Sequence, residues 1–262
     1  GESESEARKR VILFDIQKTV ELISGNWSEE SIAKYGKDNS DDVIKSGLKG
    51  IVGKKHVDLI IGGPPCQAYS IHGRATDKDS MNNDYRNYLF ESFCKVVDAF
   101  RPELFVFENV AGLLSAKPGG IPVRKRIYDA FTRIGYQIRT PEEMPKALYD
   151  AVRFRVPQHR PRVIILGVRA DSHLNLDTLY NSIEKEQDLT TVLTVRDAIG
   201  NLPALYPLPE QVKEGRYLRS HQLNPNPDIS QHESRNHGPR EREIFKEWVE
   251  KNMNHISHKA MI

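Results

Sequence analysis

Four short, almost wholly apolar runs, each closed by a charged, amide or glycine-rich stretch, constrain this chain more than any other feature. They are Val11–Ile16 (VILFDI), Val57–Ile61 (VDLII), Leu104–Phe107 (LFVF) and Val163–Val168 (VIILGV). Runs this short and this continuous suit strands buried on both faces of a parallel sheet. Between them lie stretches with helical spacing. These are Gln17–Ile23, Ser28–Tyr35 with Ser28 as N-cap, Tyr88–Phe100 with Leu89, Phe93, Val96 and Val97 in one stripe, and Arg124–Ile134. Tyr136–Arg139 reads as one more short strand. The alternation predicts an α/β domain with a mostly parallel sheet.

The rest of the chain reads differently. Residues 71–86 are polar and rich in Gly, Asn and Asp, a long loop of the kind that is usually functional. After about residue 171 the character changes. Leu202–Pro227 is proline-rich, and Glu241–Met253 reads as a polar helix with Ile244, Phe245, Trp248 and Val249 on one face. The opening GESESEARKR reads as a tag remnant or frayed terminus.

Composition narrows the function classes. Hydrophobic residues at 38% and charged residues at 28% describe a folded domain rather than a disordered one. No apolar run is long enough for a membrane span and no signal peptide is visible, so the expected place is the cytoplasm or the nucleus. Two cysteines, Cys66 and Cys94, make neither a disulfide framework nor a structural metal site, and no metal is expected. A net charge of +2 neither requires nor excludes nucleic acid, so any such contact needs a local basic face.

Three segments carry chemistry. In DLIIGGPPCQAYS a strand delivers Cys66 to its carboxyl end, where open α/β sheets hold their active sites. Two glycines and two prolines make that presentation rigid, and an exposed thiol near a helix start favours thiolate. The plainer alternative is a small hydrophobe at a strand end. In PELFVFENV a strand ends in Glu108 and Asn109, so an enclosed carboxylate beside Cys66 is a candidate general acid; a solvated loop acid is the commoner fate. In VPQHRPRVIILGV, Gln158, Arg160 and Arg162 alternate, which in an extended segment puts both guanidinium groups on one face, fit to hold a carboxylate or phosphate. The alternative is routine charge on an edge strand.

In this order, Pro-Pro-Cys-Gln, Glu-Asn-Val and Gln-x-Arg-x-Arg resemble the DNA (cytosine-5)-methyltransferases over about residues 11–205. The resemblance implies a Rossmann-like, S-adenosylmethionine-dependent methyltransferase fold, with helices on both faces of the sheet, acting on double-stranded DNA. It implies that Cys66 adds to carbon 6 of a flipped cytosine, that Glu108 helps protonate the ring, and that Arg160 and Arg162 support the glutamate and the base. The loop Ile71–Tyr85 corresponds to a mobile active-site loop. Gln67, Ser70, Asn109 and Gln158 fall at substrate-side positions. For the methyl donor, Asp15 matches a ribose-binding acid, Ile16 lies beside the adenine, Asp42 and Val43 match loosely an adenine-side block, and Pro64 and Leu89 line the cofactor pocket.

Departures are equally specific. The Phe-x-Gly-x-Gly loop that wraps the donor is not found, nor is the late Gly-Asn helix, nor the block that follows the target-recognition region. Arg155 stands where many relatives have glycine. Thr194–Pro203 resembles the linker after the arginine block, and His232–Glu250 the start of a target-recognition region. The expected layout is therefore a terminus over 1–10, an incomplete catalytic domain over 11–205 and the start of a target-recognition region over 206–262. The gaps suggest a fragment, a degenerate relative, or one subunit of an enzyme whose second chain supplies the missing blocks. Two rivals remain. One is a transfer-RNA substrate, weakened because no Cys-Phe-Thr signature is present. The other is a non-catalytic DNA- or partner-binding subunit.

Overall fold

A computed structural model describes residues 11–64, 89–214, 217–226, 228–229 and 239–250. Two units separate, Gly1–Thr194 and Val195–Ile262. In chain order the first contains α1 (Thr19–Ser24), α2 (Glu29–Tyr35), α3 (Asp41–Val52), β1 (Leu59–Gly62), α4 (Leu89–Phe100), β2 (Leu104–Val110), α5 (Val123–Arg133), β3 (Tyr136–Gln137), β4 (Leu148–Asp150), β5 (Pro161–Arg169) and α6 (Leu176–Lys185).

The sheet order is β1-β2-β5-β3, with β4 also paired to β5. β1 and β2 are parallel, whereas β2, β3 and β4 each run antiparallel to β5. Four strands therefore share one direction, and β5 alone opposes them. The sheet is mostly parallel in that sense. The apolar run at Val163–Val168 is central but reversed, which its continuous hydrophobicity does not distinguish.

Side-chain alternation along β2 divides the core into two layers. Phe105 and Phe107 face α4 and α5, packing with Phe93, Val97, Ile127 and Phe131. The Phe105 and Phe131 rings stack at 4.2 Å between centroids. Gly167, directly across from Phe105, is open to that ring; a Cβ there would lie 2.0 Å from it. Leu104 and Val106 face the other way, into a smaller cluster with Ile164, Leu166, Tyr149 and the α6 residues Leu176, Leu179, Tyr180 and Ile183. Helices thus cover both faces. Each large aromatic side chain removed from water contributes about 2–3 kcal/mol.

Tyr180 also repairs the sheet. β4 pairs with residues 161–163 of β5 and β3 with residues 168–169, leaving a gap between them. Within that gap the Tyr180 hydroxyl accepts from the Leu166 N–H at 2.9 Å and donates to the Ile164 carbonyl at 3.3 Å. Burial and these bonds spare two backbone groups the cost of going unpaired.

Several expectations need correction. Val11–Ile16 forms no strand, and Val11 and Leu13 are exposed. Its ladder is replaced by one side chain: the Leu13 N–H donates to Asn39 Oδ1 at 3.2 Å, and Asn39 Nδ2 donates to the Leu13 carbonyl at 2.9 Å. β1 is a strand but is not buried on both faces, since Ile61 is 68% exposed. Tyr136–Arg139 shrinks to the two residues of β3. The third strand runs through Glu108 and Asn109, where the sequence ends it, and one residue further to Val110. Two helices, α3 and α6, were not anticipated. The Ser28 cap is present, its hydroxyl accepting from the Ser31 N–H at 3.4 Å.

The second unit holds α7 (Val195–Ile199), the antiparallel hairpin β6 (Pro207–Glu214) and β7 (Tyr217–His221), and α8 (Pro239–Glu250). The hairpin lies inside the proline-rich stretch. Among the described residues no helix is long and apolar enough to cross a membrane.

Candidate active site

Parallel pairing brings the ends of β1 and β2 together. Gly62 pairs with Phe107, so the next step along each strand sets Gly63 beside Glu108. A Cβ on Gly63 would lie 3.0 Å from Glu108 Oε2, tighter than an ordinary contact. The missing side chain is what allows the carboxylate to lie against the β1 backbone.

Arg162 reaches the same carboxylate from β5. Val110 pairs with Arg162 and Glu108 with Ile164, so Glu108 and Arg162 are diagonal neighbours on one face. Arg162 Nε lies 2.8 Å from Glu108 Oε1, with the side chains 23% and 39% exposed respectively. Arg162 Nη1 donates to the Pro161 carbonyl at 2.8 Å, which fixes the plane of the guanidinium. The pair is half-buried and held in place by the Arg162–Pro161 bond.

Asn109 points to the opposite face and is 3% exposed. Its Nδ2 donates to the Pro64 carbonyl at 3.4 Å, and its Oδ1 accepts from the Val110 N–H at 2.8 Å. The amide therefore ties β2 to the backbone that leads from β1 into the Pro-Cys segment. Cys66, Gln67, Ser70 and the loop Ile71–Tyr85 lie outside the described residues.

Arg160 and Gln158 do not lie along an extended strand with Arg162. Ala151–Phe154 forms a 3-10 turn, Arg155 adopts left-handed backbone at φ 59°, and the chain bends at Pro157 and Gln158 before β5 begins at Pro161. Proline lacks a donor and restricts its predecessor, so two prolines in this short stretch oppose a regular ladder. Both side chains are exposed, and among the described residues Arg160 forms no ion pair. Glu108 and Arg162 therefore meet on one face of the sheet, Asn109 and Pro64 on the other, and Gln158 and Arg160 lie in the bend before β5.

The donor-side residues are placed as follows. Asp15 is half-buried in the turn before α1, where its Oδ1 accepts from the Gln17 N–H at 2.9 Å. Ile16 adjoins it, also half-buried. Asp42 is exposed in the first turn of α3, whereas Val43 is 0% exposed and belongs to the core. Leu89 is buried at the start of α4, and Pro64 is half-buried. Asp150, which the sequence reading passed over, lies at the end of β4 and bonds to the segment carrying the arginines. An Asp after two apolar residues and before a turn was the available signal.

A family model of the C-5 cytosine-specific DNA methylases matches residues 17–260. The chain belongs to that family. This DNA methylase chain is 45% identical over 166 residues to the type II methyltransferase M.Bpa9945I of Bacillus paralicheniformis, covering 62% of the chain and 35% of the relative. It is 34% identical over 154 residues to the type II methyltransferase M1.HphI of Haemophilus parahaemolyticus, covering 59% and 37%. It thus spans about a third of the length of these curated relatives. Among solved structures, one described as a prophage-encoded DNA modification methyltransferase of E. coli matches with 26% identity and a TM-score of 0.46, over 64% of this chain and 41% of that one.

Proposed function

We propose that this C-5 cytosine DNA methylase chain forms the catalytic face of a bacterial type II modification enzyme, cytoplasmic and nucleoid-associated, that methylates carbon 5 of cytosine in double-stranded DNA. One observation carries the reading: the Glu108–Arg162 pair sits beside Gly63, the residue before Pro64, at the shared end of β1 and β2. Cys66 follows Pro64 by two residues, a reach of at most about 7 Å.

In this account the target base leaves the duplex, because carbon 6 cannot be attacked within a stack. The Cys66 thiolate forms a bond to carbon 6. Glu108, in its protonated form, gives its proton to ring nitrogen 3, so the negative charge does not accumulate, and carbon 5 becomes enamine-like and nucleophilic. Arg162 holds the carboxyl group in line through its Nε, and Arg160 supports the base from the rim. Gln67, Ser70 and Gln158 contact the DNA around the extruded nucleotide. After methylation a water molecule acting as base takes the carbon 5 proton, the thiolate leaves carbon 6, and nitrogen 3 returns its proton to Glu108, which restores the ring.

S-adenosylmethionine, when bound, supplies an electrophilic methyl group. The described residues fit one end of it. The Asp15 carboxylate, half-buried in a turn, can accept from ribose hydroxyls, and Ile16 offers an apolar contact for adenine. Val43 and Leu89 are buried and offer little surface, so their part is to support the walls of the pocket. We assign the catalytic region to 11–205 and the start of a target-recognition region to 206–262.

Methyl transfer from labelled donor to duplex DNA tests the reading. Glu108→Gln should slow transfer about a hundredfold or more while changing DNA affinity only a few-fold. Equal losses in rate and affinity would count against the acid role. A second reading is favoured by the exposed Leu59 and Ile61 on β1, a strand at the end of the sheet order. It holds that another polypeptide segment packs there and brings the glycine-rich donor loop. Calorimetric titration of S-adenosylmethionine into this chain alone should then show weak or no binding; micromolar affinity would reject it.

A further inference from the structure

Ten residues, 151–160, leave the end of β4 and return as the start of β5. Two contacts close this excursion. Its outer arm is held by Arg155, whose Nε and Nη2 each lie 2.9 Å from Asp188 Oδ2, and by the Asp188 N–H, which donates to the Arg153 carbonyl at 2.7 Å. Its base is held by Asp150. Asp150 Oδ1 accepts from the Arg160 N–H at 2.8 Å and from the Val152 N–H at 3.4 Å, while Oδ2 meets His159 Nδ1 at 3.1 Å. The Ala151 N–H adds a bond to the Arg160 carbonyl at 3.3 Å.

The base contact lies where β5 enters its register with β4. Asp150 is the cross-strand partner of Pro161 and Tyr149 that of Arg162. Because proline has no N–H, the ladder cannot be anchored at Pro161 through that group, and the anchor falls to the preceding amide, at Arg160. A slip of one residue would turn Arg162 to the opposite face of the sheet, away from Glu108. The His159 hydrogen bond, and next the Arg160 amide, hold the Asp150 carboxyl below the usual carboxylate range. His159 is exposed, so its ionic contribution is small in solution, and the accepting geometry dominates.

We propose that Asp150 is a positioning residue, whose Oδ1 fixes the Arg160 amide so that β5 enters in the register that sets Arg162 against Glu108. Its consequence for turnover rests on the catalytic reading above; its consequence for the Glu108–Arg162 contact does not.

The test compares the full chain with Asp150→Ala and Asp150→Asn. Asparagine keeps the Oδ1 acceptor and removes the charge; alanine removes both. In Asp150→Ala, exchange of the Arg160 amide should accelerate about tenfold or more. The stabilising coupling between Glu108 and Arg162, measured by a double-mutant cycle in the same background, should disappear. Asp150→Asn should restore both. Methyl transfer at saturating DNA should fall about tenfold or more in Asp150→Ala, with DNA affinity within about twofold, and recover in Asp150→Asn. Unchanged exchange and coupling in Asp150→Ala would overturn the proposal. So would an asparagine variant as impaired as alanine, which would assign the effect to charge. If exchange and coupling respond as expected while the assembled enzyme, with donor and DNA, transfers no methyl group, the positioning role stands and the catalytic reading falls.

Discussion

Replacing Glu108 by Gln and Arg162 by Ala, singly and together, isolates the contact that organises the site. The charged groups touch at 2.8 Å with side chains 39% and 23% exposed. Unit charges about 4 Å apart attract by about 1 kcal/mol in water and about 4 kcal/mol at an effective dielectric of 20. Exposure places this pair toward the lower value, and ordering two side chains subtracts more. One cost is already reduced, because Arg162 Nη1 is bonded to the Pro161 carbonyl and the guanidinium is held in plane. The expected coupling is about 0.5–1 kcal/mol. Urea unfolding of the four proteins gives it directly, as the difference between the double variant and the sum of the singles. A coupling near zero would mean that the two groups do not pair in solution. A coupling above about 3 kcal/mol would mean a desolvated pair sealed from water, and a sealed carboxylate cannot meet a base.

Other predictions follow from the same geometry. Asn109→Leu removes the partner of the Pro64 carbonyl and the Val110 N–H in a buried setting, and should cost about 1–3 kcal/mol in denaturant unfolding. Gly63→Ala should displace Glu108 by a few tenths of an ångström, lowering methyl transfer about tenfold while stability changes by about 1 kcal/mol; an unaffected rate would show that the carboxylate yields freely. Burial pushes the Tyr180 phenol up to about 12 against an unfolded value near 10. Only the unfolded state ionises between those values, so the contribution is complete below pH 10 and is lost as pH rises toward 12. Tyr180→Phe should flatten that alkaline limb, and should cost about 1–2 kcal/mol at neutral pH by stranding the Leu166 N–H.

What could be read from the residues divides along physical lines. LFVF at 104–107 and VIILGV at 163–168 announced strands because continuous burial needs continuous hydrophobicity. They did not announce direction, since an apolar run is the same read against either neighbour, and so the reversal of β5 went unseen. VILFDI misled for the converse reason: its composition suits a strand, but Asn39 supplies the hydrogen bonds of a ladder without a neighbouring strand. The hairpin at 207–221 was hidden by prolines, which a two-stranded edge tolerates. α6 was legible and passed over, with Asn175 as cap and Leu176, Leu179, Tyr180 and Ile183 at helical spacing. At the site, Glu108 and Arg162 came from the order of three motifs, and the structure brings them into contact. The clasp at Asp150 depends on which backbone amide meets which carboxylate across a ten-residue excursion, and no spacing rule encodes that.

In the proposed mechanism Cys66 meets Glu108 and Arg162 at the shared end of β1 and β2 and attacks the base there. Duplex DNA carrying 5-fluorocytosine at the target position, incubated with donor and the assembled enzyme, traps such an attack, and digestion with mass spectrometry locates the modified peptide. A stable adduct is expected on the peptide containing Cys66, and none in Cys66→Ala. Cys94 should stay unmodified, since it is buried on α4 and its thiol is pushed up to about 11 chiefly by burial. An undiminished adduct in Cys66→Ala, or methylation of ordinary cytosine by that variant at the normal rate, would contradict it.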